Sequence, residues 1–327
     1  MELAFSEEQQ ELAGTVRSVL AKRADSAAVR AAMASETGYD ESLWRLLCEQ
    51  IGVAALAVPE ELGGAGFTLL ETMIVLEELG RSLAPSPLLA SLVTAEALLA
   101  GGSDEAKDRL LPRIAAGEVA AFVVPGEPAL FADRATVLLA ATDDGLVELD
   151  PASSDAVWLP SMDQTSRLAS VDATGGAPIG DGAAALARSG LVGAVAVAAL
   201  SAGLSARALE MTVAYSQERV QFGRPIGSFQ ALKHRMADLL VLVEMSRSAS
   251  WAASYALSVG SPDAEQLAHV AKSYCSDALT KVAAETVQLH GGIAITWEHD
   301  AQLVFKRAHA LSQLYGAPHA HRALIAL

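Results

Sequence analysis

The spacing of apolar residues divides the chain into a helical beginning, a short strand-rich middle and a helical end. Leu12, Val16, Val19 and Leu20 fall on one helical face. Ser6, with Gln9 three residues on, predicts a capping box at the start of that helix. Asp40 predicts the start of a second helix through Leu43, Leu46 and Leu47 that stops near Gly52. The glycine-rich stretch Gly63-Gly64-Ala65-Gly66 reads as a turn between helices, and a further helical pair runs through Ala106–Ala116. From Ala120 the pattern changes. AAFVVPG, ATVLLAAT, GLVELD and AVWLP are short apolar or alternating runs broken by Gly, Pro and Asp, which is the strand signal. Helical spacing then returns over Ala184–Arg219, about Phe229–Leu257, a third segment and about Asp300–Leu314. In the third, Ser261 is the expected N-cap with Pro262 at the first helical position. Leu267, Val270, Ala271, Tyr274, Ala278 and Val282 follow, and the helix ends at His290-Gly291-Gly292. Long amphipathic helices with short connections predict a bundle. The expected fold is mainly α with a small β domain: a helical domain over residues 1–119, a reduced β domain over 120–182 and a four-helix bundle over 183–327.

Composition narrows the function. The chain is 52% hydrophobic and 5% aromatic, with a formal charge of −16. Alanine and leucine dominate, in keeping with helix. An acidic surface argues against nucleic acid and against a polybasic membrane role. Cys48 and Cys275 lie too far apart for a metal or redox spacing and read as buried free thiols in a reducing compartment. The N-terminal MELAFSEEQQ lacks the basic-then-apolar profile of a signal peptide. Ser189–Ala206 is uncharged for long enough to suggest a membrane span, but its Ala, Gly and Ser content fits a buried core helix better. A cytoplasmic protein with no membrane span is expected. The Gly63–Gly66 cluster is not a phosphate loop, because no Gly-Lys-Ser/Thr follows it.

Two stretches carry candidate chemistry. Tyr215–Gln230 reads YSQERVQFGRPIGSFQ. An arginine can make two parallel hydrogen bonds to a pyrophosphate, an aromatic ring can cover a flat heterocycle, and a glycine permits close backbone approach. The bland alternative for Arg219 is a helix-end arginine beside a carbonyl. Gln288-Leu289-His290-Gly291-Gly292, two helices later, could equally be a helix that stops on glycine. Together the two stretches resemble the signature of the acyl-CoA dehydrogenase family, and P-E-E-L-G-G-A-G, E-E-L-G-R and DEAKDRLLPRIAAGE resemble its N-terminal helical domain. The resemblance implies FAD-dependent α,β-desaturation of an acyl-CoA. It implies that Arg219, Gln221, Phe222, Gly223, Gln230, Gln288, Gly291 and Gly292 hold the adenosine-diphosphate half of a flavin sitting mainly in a neighbouring subunit.

The sequence departs from the family where the chemistry should be. The start of the β domain usually carries Thr-Glu-Pro and then Gly-Ser-Asp; here stands Val123-Val124-Pro125-Gly126. The usual catalytic glutamate follows a tyrosine near the C-terminus, and that position is Gly316. The alternate position, on the first bundle helix, falls near Gly193, and no acidic residue lies between Ala183 and Leu209. Glu298, His299 and Asp300 read as a solvated or helix-start cluster, and His319 and His321 as surface or capping residues. The chain therefore resembles the short non-catalytic subunit of actinobacterial α2β2 acyl-CoA dehydrogenases, often linked to steroid side-chain degradation. The expected partners are a catalytic subunit that supplies the glutamate and binds the acyl-CoA, and electron-transferring flavoprotein as acceptor. Two rivals stand beside this reading: a self-sufficient homotetramer using His319 as base, and a flavin-free scaffold.

Overall fold

A computed structural model describes residues 5–326, so Met1–Ala4, the first part of the segment read for a signal peptide, lie outside the described residues. The chain folds into two compact units, Met1–Leu76 with Ala84–Gly193, and Glu77–Leu83 with Ala194–Leu327.

The first unit begins with α1 (Glu7–Arg23), where the Ser6/Gln9 capping box forms as expected and Val16 and Leu20 are buried. Next comes α2 (Ser26–Ala34), capped by the Asp25 carboxylate. The apolar pattern does not predict α2, because alanine dominates it and only Val29 and Ala32 are buried. α3 (Glu41–Leu46) starts at Asp40, whose side chain accepts from the Ser42 and Leu43 amides; a π turn over Leu47–Ile51 then stops at left-handed Gly52. α4 (Leu69–Ser82), α5 (Leu88–Gly101) and α6 (Asp104–Ala115) follow.

Seven strands come next: β1 (Ala120–Val123), β2 (Ala129–Leu130), β3 (Val137–Thr142), β4 (Gly145–Leu149), β5 (Val157–Leu159), β6 (Leu168–Ser170) and β7 (Ala177–Gly180). They form a sheet ordered β1-β3-β4-β7, with β1 and β3 parallel, and a smaller sheet ordered β2-β6-β5. Val137 and Leu139 pack with Leu98, Leu110, Leu111 and Ile114 of α5 and α6. Leu138 and Ala140 face the other way, with Val123, Val147 and Ala169. Both faces of β3 are thus covered, so its sequence is a continuous apolar run rather than an alternating one. The two-residue β2 and the mostly exposed β7 carry too little pattern to be read in advance.

The second unit holds most of α7 (Gly182–Glu218), a small hairpin of β8 (Val220–Gln221) and β9 (Arg224–Pro225), then α8 (Gln230–Ser258), α9 (Ala264–His290), α10 (Ala301–Gln313) and α11 (Pro318–Ala323). α8, α10 and α11 all pack on α9. The face α9 buries is made of small residues, including Ala268, Ala271, Cys275, Ala278 and Ala283. α9 starts at Ala264 with Asp263 at its N-cap, so Ser261 is not the cap; its hydroxyl only accepts from the Asp263 amide at 3.3 Å in the preceding turn. α7 is long and apolar enough to cross a membrane, yet 61% of its most apolar window is buried. The end of α4 crosses α7 on two glycines. A Cβ on Gly203 would overlap the Glu77 carbonyl, and one on Gly80 would overlap the Leu200 carbonyl.

Candidate functional site

α7 and α9 end side by side. The Thr212 and Thr286 hydroxyls meet at 3.1 Å between them. Nearer the end, the Tyr215 ring stacks on the His290 imidazole, with centroids 4.5 Å apart and planes 27° from parallel. This stack joins the two stretches picked out in the sequence, because Tyr215 opens one and His290 sits inside the other.

Beyond Glu218 the helix gives way to the β8–β9 hairpin, where the sequence pattern shows only a helix end. Ile226 N–H donates to the Arg219 carbonyl at 2.8 Å and closes it. The tip is Phe222-Gly223, both with positive φ (54° and 78°), as tight two-residue hairpins require. For Phe222 that backbone costs about 1–2 kcal/mol, and the ring it presents is 92% exposed. Among the described residues its ring partner is Phe229, edge-on at 6.1 Å, with the Arg224 guanidinium 4.0 Å above the Phe229 ring.

Arg219, Gln221, Phe222, Gly223, Gln230, Gln288, Gly291 and Gly292 are all exposed. Among the described residues, the Arg219 side chain has no ion pair or hydrogen bond. Gln221 bonds only to the neighbouring Val220 carbonyl. The two glycines differ. Gly291 caps α9 with φ 65° and ψ −144°, a region open essentially to glycine alone. Gly292 has no positive φ, and a Cβ there would meet nothing within 4 Å. Nothing among the described residues requires Gly292 to be glycine.

Behind this surface lies a ring cluster that the sequence reading missed. His290 is 3% exposed, its Nδ1–H donating to the Thr286 carbonyl at 2.7 Å. Burial holds its pKa below the usual imidazole value, opposed by that hydrogen bond. Nε2 is buried near the Met211 backbone without a hydrogen bond of good geometry. The His299 ring lies 4.6 Å from His290 and edge-on to Tyr215 at 6.3 Å, while its Nδ1 accepts from the Ala301 amide. His299 is therefore part of this cluster, and its bond to the first residue of α10, just before the Asp300 N-cap, fits the helix-start reading of Glu298–Asp300 rather than the solvated one. The available signal was an aromatic one turn before Arg219 and an imidazole directly before the glycines. Alongside, Val287, Ala294, Ile295, Trp297, Gln302, Phe305 and Lys306 line a hollow of about 450 Å³.

The expected base positions carry no acid. Gly193 is buried in α7. Gly316 has φ 99°, and a Cβ there would sit 2.8 Å from His321 Nε2. Backbone and neighbour both oppose a longer side chain. His321 is buried, not a surface residue: Nε2–H donates to the Tyr315 carbonyl at 2.7 Å and its Nδ1 lies 2.9 Å from His269 Nδ1. Close by, fully buried Lys272 bonds to Ser276 Oγ and to the Leu311 and Ser312 carbonyls, and burial pushes its pKa down to about 8. These groups hold the end of α10 and the turn after it. His319 is exposed on α11. At the start of the β domain, β1 runs out at Val123 into a turn with Gly126 at φ 84°, and no side-chain hydroxyl replaces those of the usual pattern.

Comparison with known proteins agrees with the fold and with the family resemblance. Residues 6–118 match the model of the acyl-CoA dehydrogenase N-terminal domain, and residues 180–327 that of the C-terminal domain. The chain is 46% identical over 317 residues to the acyl-CoA dehydrogenase IpdE2 of Mycolicibacterium smegmatis, covering 96% of each. It is 47% identical over 315 residues to IpdE2 of Mycobacterium tuberculosis, covering 95% of this chain and 94% of that one. Among solved structures, the Tcur3481-Tcur3483 steroid ACAD G363A variant matches with TM-score 0.87 and 30% identity, over 98% of this chain and 96% of that one. The ChsE4-ChsE5 complex of Mycobacterium tuberculosis matches with TM-score 0.87 and 26% identity, over 99% and 97%.

Proposed function

The chain belongs to the acyl-CoA dehydrogenase family, and on that premise we propose that it is the non-catalytic subunit of a heteromeric enzyme and supplies part of a flavin site to its partner. The family's members are FAD-dependent, and FAD when bound accepts the hydride of the desaturation. In this reading Arg219 pairs with the pyrophosphate, Phe222 covers the adenine side, and Gly223, Gly291 and Gly292 let the backbone come close. Gln221, Gln230 and Gln288 supply amide hydrogen bonds. The partner supplies the carboxylate that removes the α-proton, a step for which general-base catalysis is worth about 10²–10⁴ in rate.

The observation that carries this reading is Phe222: an aromatic ring held 92% exposed on a strained backbone, with only an edge-on contact to Phe229 among the described residues, beside an arginine with no partner among them. The relatives add support of a coarser kind, since one matching structure is a steroid ACAD variant and another is the ChsE4-ChsE5 complex. The proposed substrate is accordingly a steroid-derived acyl-CoA, the assembly α2β2, the acceptor electron-transferring flavoprotein and the location cytoplasmic. The division at residues 119 and 182 belongs to the same proposal.

Native mass spectrometry of the tagged chain purified from its own host, with flavin quantified in the same sample, tests it. The expected result is a second, longer chain and one flavin per pair. A homo-oligomer with one flavin per chain would sink the proposal and move the base to His319. A flavin-free oligomer without a partner would leave a scaffold.

A further inference from the structure

We propose that His290 is a positioning residue, whose ring locks the Gln288–Gly292 segment to the Arg219–Gln230 segment so that the two act as one cradle. This rests on the flavin reading above and goes a step beyond it. Two separate chain segments hold one ligand tightly only if their relative placement is fixed to about half an ångström. The cradle residues cannot fix it themselves, because all of them are exposed. The connection has to be made behind the surface, and His290 makes the link nearest the two segments, beyond the Thr212–Thr286 hydroxyl bond. It is the last residue of α9, directly before the glycine whose φ of 65° and ψ of −144° turn the chain outward. Its Nδ1–H to the Thr286 carbonyl fixes the ring on its own helix. One neighbour of the ring is Tyr215, a single helical turn before Arg219 and joined to it by the 2.9 Å bond from Arg219 N–H to the Tyr215 carbonyl. His299, at the foot of α10, is the other. A displacement of Gly291 relative to the end of α7 therefore disturbs this stack. The flat ring and its volume carry the role, which predicts that phenylalanine can substitute and alanine cannot.

The test uses the complex as purified with its partner, stripped of flavin and titrated with FAD by fluorescence, with the melting temperature of the flavin-free complex measured alongside. Three variants are compared: His290→Ala, His290→Phe and Arg219→Ala. The expected outcome is an FAD Kd about tenfold weaker in His290→Ala, of the order of one lost aromatic stack, with the flavin-free melting temperature held. His290→Phe should return to within about twofold of the native Kd. Tyr215→Leu removes the stack from the other side and should reproduce the loss even if His290→Ala fails to assemble. Unchanged affinity in His290→Ala with a loss in Arg219→Ala overturns the clamp alone. Unchanged affinity in Arg219→Ala overturns the cradle reading and the clamp with it. Equal losses in His290→Ala and His290→Phe also overturn the clamp, since the imidazole nitrogens and not the stacked ring would then matter.

Discussion

Gly316 shows how a single residue can exclude a chemistry. Its φ of 99° suits glycine, and His321 Nε2 occupies the place a side chain would enter. Gly316→Glu, which puts a carboxylate where the family resemblance expects the base, should therefore fail to create activity. The strained backbone costs about 1–2 kcal/mol, and the new side chain must displace a histidine that is hydrogen-bonded to Tyr315. Purified Gly316→Glu should show no acyl-CoA oxidation without a partner and should melt lower than the native chain. Turnover by the variant alone would mean that the turn is not locked. The same scale explains a limit of reading the sequence. Gly291 and Gly292 look alike in the string, but the first is required by its own backbone and the second meets no such demand among the described residues.

Among the elements, the α4–α7 crossing is a tight structural commitment. Gly80 and Gly203 bring backbone against backbone, where no side chain can move aside. Gly203→Val should destabilise the chain by about 3 kcal/mol, at the upper end of overpacking costs, read as a lower urea midpoint at unchanged slope. A variant of native stability would show that the helices separate at no cost. Element prediction succeeded where periodicity was strong and partnered on one face, as in α1, α3 and α6. It missed α2, whose alanines give a helix little pattern, and it missed the β8–β9 hairpin, where a two-residue turn is set by backbone φ rather than by hydrophobic spacing.

For the whole molecule, two buried imidazoles set the expected response to acid. Burial holds His290 and His321 below the ordinary histidine value; His299 adds to this for His290, and Lys272 and His269 for His321. The unfolded chain takes up protons near pH 6.5 while the folded chain resists until lower pH. Their contribution is thus complete above about pH 6.5 and is lost progressively as the pH falls below it. Thermal melts between pH 7.5 and 5 should show stability falling below pH 6.5, and His321→Gln should flatten that slope. An unchanged slope in the variant would place the acid sensitivity elsewhere. What the sequence determined by itself was the helical and strand-rich layout and the two motifs, because apolar periodicity, caps and side-chain chemistry are local properties of the string. Only the tertiary structure decided that Tyr215 and His290 meet, that Phe222 is presented on a strained hairpin, that His321 is buried and that Gly316 is sealed. Each of these depends on which surfaces of distant helices come together, and packing between residues far apart in sequence leaves no periodic trace in the chain.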